Sequence, residues 1–214
     1  SSISLEQISK FFLTNYSLTM AAKFSGDLAI TGNDDADHLL NNNPLALLLG
    51  MLLDQQIPME WAFKGPYTLL ERLGELDTSQ IASMEPSKFE SVCKEKPAIH
   101  RFPSSMAGRI QDLCQHLIEN YDGDTEKLWT DSETGETLYN RLIALPGFGA
   151  EKSMIFTALL AKRMGCSPPG WQDYAGPFAD KTPRSVADIN SQESLTKVRA
   201  WKKAQKAAGK TKQD

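Results

Sequence analysis

The chain has 214 residues, 41% hydrophobic and 23% charged, with a net charge of −4. That length buries a sizeable core in one domain or two packed halves, and the composition excludes a disordered or collagen-like chain. The longest apolar run, Pro44 to Leu53, is shorter than the roughly 20 residues of a bilayer span.

Cys93, Cys114 and Cys166 cannot all pair and form no CxxC, which points to a reducing compartment. The three histidines are far apart and offer no zinc-ligand pattern. Overall charge argues against a nucleic-acid partner, but the charge is uneven. Residues 197–214 carry Lys197, Arg199, Lys202, Lys203, Lys206, Lys210 and Lys212 against Asp214, giving +6 there and −10 elsewhere. Such a basic tail is either a solvated face or an arm that tracks a polyanion.

In chain order, residues 1–26 are rich in Ser and Thr, with a short helix expected over Leu5–Phe12 and no signal-peptide pattern. Asp27–Thr31 reads as one short strand before the turn at Gly32-Asn33. Asn43-Pro44 reads as an N-cap and first-turn proline, opening a helix apolar on nearly all sides that belongs at the centre of the fold. A helix follows around Trp61–Leu73, ended by Gly74, then a short one capped near Asp77-Thr78. Pro86 opens another, which stops before Pro97. Ser104 or Ser105 would cap a long amphipathic helix presenting Met106, Ile110, Leu113, Cys114, Leu117 and Tyr121, closed at Asp122-Gly123. Two further helices, about Gly135–Ala144 and Ala150–Met164, flank a turn. The fold class is all-α.

That turn, Leu145-Pro146-Gly147-Phe148-Gly149, leads into Ala150-Glu151-Lys152-Ser153. Two glycines two apart permit a tight turn with a bare outer surface. Outward amides backed by a helix dipole would bind a phosphate, while Leu145 and Phe148 tuck inward. A plain helix–turn–helix connection also accommodates glycine, so the turn alone leaves both readings open.

The wider context resembles the HhH-GPD superfamily of base-excision DNA glycosylases, in a short form. The hairpin is similar to that family's helix-hairpin-helix, and Gly50–Ile57 resembles its glutamine-bearing helix and loop. His100–Ile110 is similar to its long helix before the hairpin, and Tyr121–Asp124 to that helix's end. The resemblance implies a two-lobed helical fold, in which a domain over 33–196 (hairpin 135–164) is preceded by an extension, 1–32, and followed by the basic tail, 197–214. It implies a monomer on double-stranded DNA that extrudes a nucleotide and cleaves its N-glycosidic bond. Leu145, Pro146, Gly147, Phe148, Gly149, Lys152 and Ser153 would form the DNA-binding hairpin, and Gln56, with Gln55 and Ile57 beside it in the intercalating loop, would fill the vacated stack. Trp61, His100 and Phe102 would line a neutral base pocket suited to alkylated or deaminated bases.

The family's essential carboxylate follows the hairpin and stabilises the charge that develops on the sugar. Asp173 is the nearest match, although it stands late and lacks the apolar lead-in; Glu151 is a second candidate. Relatives with lyase activity carry an amine nucleophile where Glu151 stands here. Lys152 is one step, about 100°, away on the helix, so it reads as a phosphate contact or a solvated lysine. The resemblance therefore implies a monofunctional glycosylase; the alternative is a non-catalytic DNA-binding protein. No cysteine follows Cys166, so no four-cysteine iron–sulfur cluster is expected. A structural monovalent cation held by the carbonyls of Leu145 and Phe148 is the one cofactor implied. The expected setting is a bacterial nucleoid, or a eukaryotic nucleus or organelle.

Overall fold

The computed structural model describes residues 24–214; the helix expected over Leu5–Phe12 lies outside them. Eleven α-helices and two 3-10 turns, with no strand, make up the described residues. The first is α1 (Asp34–Asn42), capped by the Asn33 side chain, which accepts from the Ala36 N–H. Asn43 repeats this device on α2 (Pro44–Leu53), where Pro44 supplies the preset first turn. Every residue from Leu45 to Leu53 is buried, so α2 is the central helix its composition predicts.

Against α2 pack α3 (Met59–Leu73) and the long α6 (Pro103–Tyr121), and α6 in turn carries α4 (Thr78–Ser83) and α5 (Pro86–Lys94). Gly50 lets the Phe63 ring lie against the α2 backbone, where an added Cβ would meet ring carbon at 2.7 Å. The caps of α6 differ from expectation. Phe102 is its N-cap, Pro103 fills the first position, and Ser104 and Ser105 fall within the first turn without capping it.

The other lobe contains α7 (Lys127–Thr130), α8 (Gly135–Ile143), α9 (Ala150–Arg163) and α10 (Trp171–Ala175). The 3-10 turns Gly176–Ala179 and Val186–Asp188 lead to α11 (Gln192–Ala207). Helices α8 and α9 are the expected hairpin pair. One continuous apolar core joins both lobes.

The expected strand at Asp27–Thr31 is instead an extended segment. No second strand lies beside it, so helix side chains meet its backbone. Asn41 brackets Leu28 through both N–H and C=O, and Asp37 accepts from the N–H groups of Ile30 and Thr31. Phe24, Leu28 and Ile30 are buried in the shared core. At the other end, the boundary expected after residue 196 falls inside α11, which buries Leu195 and Val198. The basic segment is therefore helical to Ala207 and continuous with the fold, docked through Val198.

Candidate active site

Three chain segments meet at the open end of the hairpin: the loop after α2, the start of α9, and the last residues of the chain. Gly147 has φ +82°, and a Cβ there would strike Leu52 Cδ1 at 2.5 Å. Both the left-handed conformation and the α2 contact require glycine. Gly149 is different: its φ is −102° and no atom lies within 4 Å of an added Cβ. Packing gives no reason for glycine there, but a bare backbone does, if another backbone is to approach it.

Gly149 is also the N-cap of α9 and brings no side-chain cap, so the first-turn amides of that helix remain open. The Phe148 N–H is spent on the Leu145 carbonyl at 3.1 Å, and Leu145 and Phe148 are buried. Phe148 packs edge-on against Phe156, with centroids 6.0 Å apart.

Two expected hairpin contacts do not face outward. Ser153 is fully buried, and its N–H bonds the Gly149 carbonyl, so neither its hydroxyl nor its amide reaches a ligand. Lys152 Nζ donates to the Leu52 carbonyl at 2.8 Å, across the junction with α2. Its ammonium is thus directed at the end of α2 rather than standing free in solvent. The helix step of about 100° that separates it from Glu151 sets it on the end of α2. Burial is the main cause that lowers its ammonium to about 8, although the Asp54 carboxyl acts the other way.

Gln55, Gln56 and Ile57 lie together beyond α2. Gln56 is exposed and left-handed at φ +59°, a strained conformation for a residue with a Cβ, while Ile57 packs against the core. His100 holds this loop. Its Nδ1 accepts from the Phe102 N–H at 2.9 Å, which assigns the proton to Nε2, 3.0 Å from the Gln55 carbonyl it donates to. Burial depresses the His100 pKa and keeps the ring neutral. His100 is therefore a positioning residue, 1% exposed, with both ring nitrogens engaged by backbone. Trp61 and Phe102 are exposed aromatics on the neighbouring surface. The Trp61 indole donates to the Ala98 carbonyl at 2.9 Å, and Arg101 lies over Phe102.

The cavity at this junction, about 420 Å³, opens instead between the glutamine loop and α11, lined by Asp54, Gln55, Gln56, Met59, Glu60, Arg199, Lys202 and Lys212. It is charged, contrary to the neutral pocket expected. Asp54 caps the end of α2 at its rim; burial is the main cause that raises its carboxyl pKa, offset in part by Lys202, Lys212 and Lys152. Arg199 pairs with Glu60 across the rim. Lys212 pairs with Glu151 at 3.1 Å, so that candidate carboxylate faces the junction but is bound by a cation. Arg184 holds the chain end in place, donating to the Lys212 carbonyl at 3.0 Å and stacking over Trp201.

Asp173 is not part of this group. It is exposed on α10, which packs on the first turn of α8 through the Gly135 N–H to Pro169 carbonyl bond. The hairpin turn is at the other end of α8, roughly 13 Å of helix away.

The family model for HhH-GPD superfamily base excision DNA repair proteins matches residues 49–214, which span the glutamine loop, the hairpin and α11. The chain belongs to the HhH-GPD superfamily. Searches of curated proteins and of solved structures return no significant match. The HhH-GPD match begins inside α2 and runs to the end of α11 and beyond, so the basic segment belongs to the matched region. No helix among the described residues is long and apolar enough to cross a membrane.

Sequence reasoning missed Asp54, Lys202 and Lys212. A carboxylate directly after nine consecutive buried positions was the available signal for the first. For the lysines it was the spacing of Leu195, Val198 and Trp201, which marks an amphipathic helix with a docked face.

Proposed function

We propose that this HhH-GPD protein is a monofunctional DNA N-glycosylase that removes a damaged base, whether alkylated, deaminated or mismatched, from double-stranded DNA. The observation that carries this reading is the position of Asp54, a carboxyl opening into a nucleotide-sized cavity directly beside the exposed, strained Gln56. The open amides of Gly149 and the first turn of α9 would take backbone phosphates. Gln56 would enter the stack as the nucleotide leaves it, with His100 holding the loop from behind.

In the reaction, the C1′–N bond breaks and its electron pair leaves with the base. Asp54, in the carboxylate form that the charges of Lys202, Lys212 and Lys152 favour against burial, stabilises the positive sugar, water adds to C1′, and its proton passes through Asp54 to the departing base anion. The balance is one water consumed, one free base and one abasic site. No amine nucleophile is invoked, because Lys152 is tied to Leu52. The reaction needs no iron–sulfur cluster, and three cysteines fall short of the four such a cluster takes.

A monovalent cation fits the hairpin. The turn and cap bonds leave the carbonyls of Pro146, Gly147 and Phe148 without backbone donors, and that of Leu145 accepts one. Such an ion would hold the turn in shape and present its amides to phosphate. We place the protein as a monomer on chromosomal or organellar DNA.

One observation favours a second reading, a non-catalytic DNA-binding protein: Asp173, the nearest match to the family carboxylate, stands away from the cavity. Incubation with duplexes each bearing one lesion, followed by mass spectrometry of free bases, decides between them. Base release supports the glycosylase, and salt-sensitive binding without release across the panel supports the second reading.

A further inference from the structure

The cavity contains one strong donor with no proper acceptor. Lys202 Nζ lies 3.0 Å from the Met59 thioether, and among the described residues no oxygen accepts from it. A thioether is a weak acceptor, whereas an ammonium offers three N–H donors. The other cations lining the cavity are paired, Arg199 with Glu60 and Lys212 with Glu151, and Lys152, outside the lining, donates to the Leu52 carbonyl. What remains facing the space is the Lys202 ammonium and the Asp54 carboxyl. The volume is within the range of roughly 300–1,000 Å³ typical of small-molecule sites.

Bases differ in what they offer such a donor. Adenine and cytosine carry an amino group at the ring position where their deaminated forms, hypoxanthine and uracil, carry a carbonyl. An amino group leaves a buried ammonium unpaired, while a carbonyl oxygen accepts from it. Purines alkylated at a ring nitrogen bear positive charge, and the ammonium that meets the base repels it more closely than Asp54, whose place in the reaction is at the sugar, attracts it. Deaminated bases also sit in mispairs, which are the least costly to extrude.

Resting on the glycosylase reading above, we propose that the cavity selects deaminated, carbonyl-bearing bases over cationic N-alkylated purines, with Lys202 as the specificity-determining donor. Guanine and thymine share the carbonyl but are held in their pairs, so extrusion separates them from the deaminated bases.

The test uses the full chain and duplexes carrying one hypoxanthine opposite thymine, one uracil opposite guanine, or one 7-methylguanine or 3-methyladenine in a normal pair. Free-base release is followed for the parent protein, Lys202→Met and Lys202→Arg. Hypoxanthine or uracil should be released at least about tenfold faster than either methylated purine. Lys202→Met should remove most of that preference and Lys202→Arg should retain part of it, with binding to unmodified duplex unchanged in both. Release of methylated purines at equal or greater rates overturns the proposal and leaves the glycosylase reading standing. So does a Lys202→Met variant that loses affinity for every duplex equally with a weaker salt dependence, since Lys202 would then contact phosphate. No release from any duplex overturns the glycosylase reading and the proposal with it.

Discussion

Lys152 and Leu52 join the two lobes through a single hydrogen bond, from ammonium to helix-end carbonyl, 2.8 Å long. It spans 100 residues of sequence and links the start of the hairpin helix to the last turn of the central helix. The Lys152→Met variant should leave the Leu52 carbonyl without this donor and cost about 1–3 kcal/mol in urea unfolding. Because the amine is tied, borohydride treatment on an abasic duplex should give no covalent protein–DNA adduct near pH 8, where about half of it is neutral. An adduct that disappears in Lys152→Met would contradict the monofunctional reading.

The hairpin glycines should separate stability from binding. An alanine at position 147 must adopt a left-handed backbone and push against Leu52, so Gly147→Ala should cost about 1–3 kcal/mol. Gly149→Ala meets nothing and should change stability by no more than about 0.5 kcal/mol. It should nevertheless weaken duplex binding measured by fluorescence anisotropy, because the methyl group stands where the phosphate backbone approaches. Unchanged affinity would argue against the hairpin as the DNA contact.

His100 makes the fold sensitive to acid. Its ordinary pKa is near 6.5 and burial lowers it in the folded state, so below that pH the unfolded chain binds the proton more readily. Stability should therefore fall as pH drops below about 6.5 and through the lower folded value. In His100→Gln this part of the pH dependence should disappear from urea unfolding curves taken between pH 7 and 5. A dependence identical to the parent's would place the acid sensitivity elsewhere.

Much of the architecture was legible in the sequence because it is written in local signals. Asn43-Pro44, Gly74 and the apolar face of α6 set helix ends and buried faces by short-range geometry. The helix-hairpin-helix was legible as a resemblance to a family and not from the turn alone, whose geometry requires glycine at 147 but not at 149. The cavity was not, since Asp54, Lys202 and Lys212 come from distant segments that only the tertiary fold brings together. Lys152 also resisted reading. Its spacing showed that it stands about 100° from the nucleophile position and suggested a phosphate contact or a solvated lysine, but nothing local shows that the end of α2 waits there. Asp173 illustrates the opposite hazard, a plausible residue in the expected order along the chain that the fold carries to the far end of α8.

On the glycosylase reading proposed above, Asp54 performs the chemistry. Release of free base from the best-processed lesion duplex should be measured for the parent protein, Asp54→Asn and Asp173→Asn. Asparagine at 54 relieves a buried carboxyl, so Asp54→Asn should be as stable as the parent or slightly more so. Its release rate should nevertheless fall at least about 100-fold, the scale of losing one electrostatic catalytic group. Asp173→Asn should match the parent. Full activity in Asp54→Asn, or loss confined to Asp173→Asn, would contradict the account.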